Sequence, residues 1–363
     1  MSETGKIAEY LLASLVSEPL LKDFVHLRPE YIKRNRPKEL CDLLVDDEPN
    51  AIIIQLKTQD LNKAKGDRDP LRWAKKEIVE ASRQVFGAIR RIGISEISTF
   101  NPVRGNIKFP IGRLRPFHGL VILDYKSSPF KIDDILPRRT KKGIPIHYIS
   151  YNDFILLCKN LMTLPDLIAY LNERAKIPSW ATPLINNEKD TYAYYITHNS
   201  FFKSSICIED FENQWRNLTL NFNDQYINKI EEDKLTEIFS SILNAMYDKD
   251  PLVKQIFPIS KETISMRNDL RVEATRKLNY LRRLHRREIS KKIIEIMELA
   301  DSSKIGRHYF AFRSEDSTIF YVFLASRHSR DKRIEELSVI SYCLKYNRSK
   351  LYYRNCYRKL ENS

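Results

Sequence analysis

Glycine is scarce in this sequence, nine in 363 residues. Neither G-x-x-x-x-G-K-[ST] nor G-x-G-x-x-G can be assembled from them, which excludes a P-loop enzyme and argues against any glycine-rich phosphate cradle. H-E-x-x-H and G-x-S-x-G are absent as well, and the seven histidines lie far apart. Zincin and α/β-hydrolase chemistry therefore have no support. The five cysteines, Cys41, Cys158, Cys207, Cys343 and Cys356, are odd in number and form no C-x-x-C pair. Reduced, mostly buried thiols are expected, not a disulfide framework or a structural zinc. No apolar run reaches the roughly 18 residues that span a bilayer; the most apolar stretch, Ala51 to Leu56, is interrupted by Gln55 and ended by Lys57. Met1 to Lys6 carries no basic patch leading into an apolar segment, so a cytoplasmic protein without a secretory signal or membrane partner is expected.

Charge is abundant. Lys and Arg number 61 against 47 Asp and Glu, a net +14, and 42% hydrophobic residues suffice for a buried core. The excess is uneven: residues 1–150 carry +8, residues 151–260 carry −5, residues 261–300 carry +5 and residues 301–363 carry +6. A polyanion would be met by the first and last portions of the chain. A solvated basic face without a ligand is the plainer alternative.

Periodicity places a helix over Lys6 to Val16, with Glu9 beside its apolar stripe. Leu40 to Val45 and Ala51 to Lys57 are apolar runs separated by a polar, turn-rich link and read as a hairpin. Pro70 to Arg91 has helical spacing and stops at Gly93, and Phe117 to Tyr125 and Ile144 to Ser150 are further strands. This order suggests a mixed α/β sheet. Beyond residue 150 the pattern is mainly helical, over Asp153 to Asn160, Leu164 to Lys176, Ile208 to Leu218 and Asp233 to Tyr247. One long basic helix is expected over Thr263 to Leu299, a hairpin over Arg307 to Arg313 and Thr318 to Ser326, and a helix from Arg330 to about Tyr346.

In a strand, residues two apart share a face, so Gln55 and Lys57 point together while Ile54 and Leu56 point into the opposite layer. An amide and an ammonium beside an isoleucine-rich strand are costly to bury without partners, and Asp42 on the neighbouring strand is one. Phosphodiester hydrolysis uses these residue types: Asp42 and Gln55, with the Leu56 carbonyl, as oxygen ligands of Mg²⁺, and Lys57 to orient water or offset developing charge. Glu9 can complete such a site. A buried cross-strand ion pair of Asp42 and Lys57 is the structural alternative.

Glu9, Asp42 and Gln55-x-Lys57 resemble, in order and approximate spacing, the PD-(D/E)xK nuclease superfamily, whose core carries a Glu on a helix, an Asp on a strand and (D/E/Q)-x-K on the next strand. Trp73-Ala-Lys-Lys to Ser82-Arg-Gln84-Val-Phe-Gly-Ala is similar to the helix after the catalytic strand in restriction-endonuclease-like bacterial proteins, Gln84 matching a helix glutamine. Thr163 to Arg174 is similar to a segment of uncharacterised bacterial proteins carrying such a domain. Two departures are Gln55 in place of the commoner acid and Cys41 in place of a proline before Asp42.

The resemblance covers residues 1–150. It implies a restriction-endonuclease-like mixed sheet flanked by helices, followed over residues 151–363 by a mainly helical α+β region that binds substrate, oligomerises or senses a trigger. The implied activity is Mg²⁺-dependent endonucleolytic cleavage of DNA, with Mn²⁺ as a substitute metal. Asp42, Gln55 and Glu9 would be ligands and Lys57 the catalytic cation. Bacterial host defence is the implied setting, and a homodimer or an activating ligand or partner is open. Candidate nucleic-acid contacts are Gln84 and, on the basic helix, Arg282, Arg283, Arg286, Arg287 and Lys291. Ion pairs with Glu288 and Glu295 are the alternative for that helix. The tail Lys345 to Lys359, with six basic residues and four tyrosines, suits phosphate contact and stacking. The rival function is a nucleic-acid-binding or assembly protein of the same fold without cleavage.

Overall fold

The computed structural model describes residues 3–20, 22–59, 69–101, 104–125, 128–131, 138–245, 272, 276, 278, 281–302, 307–313 and 320–326. They divide into two compact units, Met1–Arg283 and Leu284–Ser363.

The first unit opens with α1 (Glu3–Leu20) and strands β1 (Val25–Leu27), β2 (Glu30–Lys33), β3 (Arg36–Glu39), β4 (Leu43–Asp47) and β5 (Asn50–Thr58). Helix α2 (Pro70–Ile92) and strands β6 (Ile97–Asn101), β7 (Gly105–Phe109), β8 (Arg115–Asp124) and β9 (Ile146–Ser150) follow. A mixed five-stranded sheet runs β1-β4-β5-β8-β9. Its β1, β4 and β5 are antiparallel neighbours, whereas β8 and β9 run parallel to β5. The sheet is covered on both faces, so β5 reads as a nearly continuous apolar run, as strands buried on both sides do. Ile52, Ile54 and Leu56 face a core shared with α1, while Ile53 faces the core under α2.

Helix α2 forms where expected. The Asp69 side chain caps it by accepting from the Leu71 amide at 2.9 Å, a proline opens the first turn, and Gly93 follows the last. Its apolar stripe, Trp73, Ala74, Ile78, Ala81, Val85, Ala88 and Ile89, lies against the sheet. Trp73 is buried in this core.

A second sheet, β3-β2-β6-β7, was not legible in the pattern. Its hairpin β2–β3 turns through Arg34 and Asn35, both left-handed at φ 50° and 60°, the geometry of a two-residue primed turn. The strand expected over Leu40 to Val45 is corrected here: β3 ends at Glu39 in the second sheet, and β4 begins at Leu43 in the first. Residues 40–42 carry the chain between sheets, tied by Leu40 N–H to the Pro29 carbonyl and Arg28 N–H to the Asp42 carbonyl.

Helices α3 (Tyr151–Leu161), α4 (Leu164–Arg174), α5 (Glu188–Thr197), α6 (Gln214–Asn221) and α7 (Asn223–Ala245) follow in the same unit. The sheet face and α3 to α5 share one core, so the change in pattern at residue 150 falls inside this unit. The helix expected over Ile208 to Leu218 is broken: a 3-10 turn at Glu209–Phe211 is followed by left-handed Asn213 at φ 59° before α6. Helix α7 starts ten residues before the expected Asp233, because Asn223 to Glu232 is largely polar and carries little periodic signal.

The long helix expected over Thr263 to Leu299 is interrupted at Leu281 and Arg282: Val272, Arg276 and Leu278 are helical before the break, and helix α8 (Arg283–Ser302) follows it. Strands β10 (Arg307–Arg313) and β11 (Phe320–Ser326) pair as the expected antiparallel hairpin. The helix expected after Arg330, the tyrosine-rich tail, Cys343 and Cys356 lie outside the described residues. Among described residues, no helix is long and apolar enough to cross a membrane.

Candidate active site

The β4–β5 ladder ends with Leu43 opposite Ile54, and one step beyond it Asp42 lies beside Gln55. Asp42 Oδ2 accepts the Leu56 backbone N–H at 2.7 Å and a short hydrogen bond from the Gln55 amide. The carboxylate is 3% exposed, Gln55 is buried, and Lys57 is half-buried two residues along the same strand. The structure thus brings Asp42, Gln55 and Lys57 together. Burial pushes the Asp42 carboxyl up to about 8 against the lowering effect of the Leu56 amide. Glu9 and Glu39 push in the same direction as burial, and Lys57 opposes them.

Glu9 is buried on α1 beside the apolar Leu12 and Val16. Its Oε2 accepts from Arg28 Nε at 2.7 Å, and burial outweighs that guanidinium to leave the carboxyl above its ordinary range. Arg28 also donates its backbone N–H to the Asp42 carbonyl at 2.8 Å. It therefore ties α1 to the residue that anchors the site, a role no spacing in the sequence signalled. Glu39 closes β3, and its charge reaches both Glu9 and Asp42. Glu39 ends a strand of the second sheet, and Asp42 lies in the link between the two sheets. Cys41 is buried, donates its thiol to the Leu43 carbonyl at 3.2 Å and is pushed to high pKa by burial, so it supplies no nucleophile.

A cleft of about 720 Å³ opens over Gln55, between α2 and the β2–β3 hairpin. Gln84 lines it from α2, with Arg83, Arg90 and Arg91, while Lys33 and Lys38 line it from the hairpin. Gln84 thus shares the cleft with Gln55, while Asp42 and Lys57 are not among the residues that line it.

The candidates near α8 divide differently. Arg286 and Arg287 are buried, on the same stripe as Ile289, Ser290, Ile293 and Ile296, so they are not presented as phosphate contacts. Arg283 donates to the Asn160 carbonyl at 2.8 Å and pairs with Asp233 at 3.4 Å. Arg282 and Lys291 are exposed, with Lys291 pairing with Glu288 at 3.0 Å and Lys292 with Glu295 at 2.5 Å. The arginines of α8 therefore do not form one open basic face.

Among the described residues, no group of three or more His, Cys, Asp or Glu is placed to hold a metal ion. Glu9 is spent on Arg28, and what remains near Asp42 is an oxygen set: its carboxylate, the Gln55 amide and the Leu56 carbonyl. Such hard donors fit Mg²⁺, which retains several waters and needs few protein ligands. The chain matches no protein-family model, no curated protein and no solved structure. What the fold and site define is a mixed α/β protein with a buried Asp42–Gln55 pair, half-buried Lys57 two residues along the same strand, and a basic cleft that opens over Gln55.

Proposed function

We propose that the chain is a metal-dependent nuclease that hydrolyses phosphodiester bonds in DNA. The observation that carries this reading is the grouping of Asp42, Gln55 and Lys57 at one end of β4–β5, with Gln55 lining a cleft that also holds five cations. The element order supports it: a helix with Glu9, a strand entered at Asp42, a strand with Gln55-x-Lys57, then α2, as the resemblance to the PD-(D/E)xK superfamily implies. Asp42 and Gln55, with the Leu56 carbonyl, would hold Mg²⁺ or Mn²⁺, which supplies Lewis-acid activation of the scissile phosphate and of water. Lys57 presents an ammonium on the same strand face to orient the attacking water or offset charge on the phosphate. The Leu56 amide and the Gln55 side chain fix the Asp42 rotamer, and Arg28 fixes the segment that bears it. A host-defence setting belongs to this reading.

A second reading, binding without cleavage, has one observation in its favour. The Gln55 amide nitrogen donates to Asp42, so the pair is satisfied internally. The two part on cleavage of plasmid, linear duplex and single-stranded substrates, DNA and RNA, with Mg²⁺, Mn²⁺ or EDTA. Metal-dependent cleavage of DNA by the wild type, lost by about 100-fold or more in Asp42→Ala and Lys57→Ala at unchanged folding, is expected. Cleavage that survives both substitutions refutes the site, and binding without any cleavage favours the second reading.

A further inference from the structure

Gly87 sits in the middle of α2, where a glycine costs about 1 kcal/mol relative to alanine. Two structural reasons for such a glycine fail. Its backbone is not left-handed, and a Cβ built on it meets nothing within 4 Å, so no neighbouring element demands the missing side chain. The space it leaves belongs to the cleft. On a helix, residues three, four and seven apart share a face, and Arg83, Gln84, Arg90 and Arg91 surround Gly87 at those spacings. The lining holds five cations, with Lys33 and Lys38 on the facing hairpin, against two carboxylates, Glu39 and Glu80. The Gln84 Oε1 is buried without a hydrogen-bond partner among the described residues.

We propose that this cleft seats one strand of a nucleic acid by its sugar-phosphate backbone, which lies against α2 at Gly87 and runs toward Gln55. The inference rests on the nuclease reading for the destination of the strand, not for its binding. Arg83 and Arg90 are seven residues apart, about 10 Å along the helix axis at 1.5 Å per residue. That length exceeds a single phosphate, so the two guanidinium groups meet different phosphates of one strand. Exposed guanidinium and ammonium groups contact phosphates whatever the base. A side chain at position 87 would hold that backbone away from both rows of cations.

The test is fluorescence anisotropy of the full chain with a labelled oligonucleotide, duplex and single-stranded, in EDTA so that binding is read without cleavage. Gly87→Leu is expected to weaken binding at least tenfold while the thermal midpoint holds or rises, because leucine is the better helix former. Arg83→Ala combined with Arg90→Ala is expected to flatten the slope of log K against log salt by about 1.4 to 1.8. Lys234→Ala, which removes an exposed cation on α7 outside the cleft, should bind as the wild type does. Affinity and salt slope unchanged in Gly87→Leu and the double variant, or no binding of either oligonucleotide by the wild type, overturns the proposal. A wild type that binds through Gly87 but never cuts leaves this cleft standing and removes the nuclease reading. Cleavage that Gly87→Leu leaves untouched does the reverse.

Discussion

Glu9 can be buried on α1 because Arg28 donates to it at 2.7 Å, and Arg28 is itself a quarter exposed. Removing only the guanidinium leaves a carboxylate in the core, and breaking buried pairs in this way typically costs about 3 to 5 kcal/mol. Arg28's exposure reduces that, so Arg28→Ala is expected to lower unfolding stability by about 2 kcal/mol. Glu9→Gln in the same chain should recover most of the loss, since a neutral amide is cheaper to bury than an unpaired charge. Urea unfolding of the single and double variants checks this, and a double variant no more stable than Arg28→Ala would show that the pair is not what Arg28 contributes. The contrast with Asp42, Gln55 and Lys57 is instructive. Those three were legible because strand parity puts Gln55 and Lys57 on one face of an isoleucine-rich run. Arg28 follows no period and acts through one side-chain and one backbone contact that only the fold creates.

Between elements, the tightest constraint is at Gly119 on β8. A Cβ there would lie 2.6 Å from Val85 Cγ1, 2.7 Å from Ile146 Cδ1 and 3.4 Å from Ile89 Cδ1. The glycine lets α2 settle onto β8 and β9, and α2 in turn carries one wall of the cleft. Gly119→Ala is expected to cost about 1 to 3 kcal/mol through overpacking, whereas Gly87→Ala, with open space at its Cβ, should stabilise by about 0.5 to 1 kcal/mol. Thermal or urea unfolding of the pair reads both signs, and equal effects would refute this account of the two glycines. Helix α2 was legible end to end because a capped, strongly amphipathic stretch is decided locally. The hairpin β2–β3 was not: Glu30 to Lys33 and Arg36 to Glu39 are charged and mostly exposed, and Pro37 reads against a strand unless it lies on an edge, as it does here. Its exposure hides it from periodicity and also places Lys33 and Lys38 at the cleft.

Across the first unit, a buried polar chain joins the sheet to the helices. Arg174 pairs with Glu188 at 2.5 Å and donates Nη1 to His147 Nδ1 at 3.2 Å, and His147 Nε2 lies 3.1 Å from His118 Nδ1. An arginine only donates, so His147 Nδ1 accepts, its Nε2–H donates, and His118 Nδ1 accepts in turn. A proton added to either acceptor would face a donor, so both rings are neutral in the fold. Burial, helped by the charge of Arg139, lowers His118 to about 4, and burial with Arg174 beside it lowers His147 as well. Because these folded values lie below the unfolded one near 6.5, the contribution is complete above pH 6.5. It is lost as pH falls toward 4, since the unfolded chain takes up protons first. For His118 the loss is on the order of 3 kcal/mol. Asp46 comes later: burial would raise it, but the His26 hydrogen bond and the charges of His26, Arg276 and Arg104 hold it below its ordinary 3.8. Its contribution therefore goes only below that pH. Asp42, raised to about 8, has the opposite sign and gains stability for the fold as pH falls. The histidine part is isolated by urea unfolding of the wild type and His118→Asn at pH 7, 6, 5 and 4. The wild type should lose about 3 kcal/mol more than the variant across that window; parallel curves would mean that His118 is not held neutral by the fold.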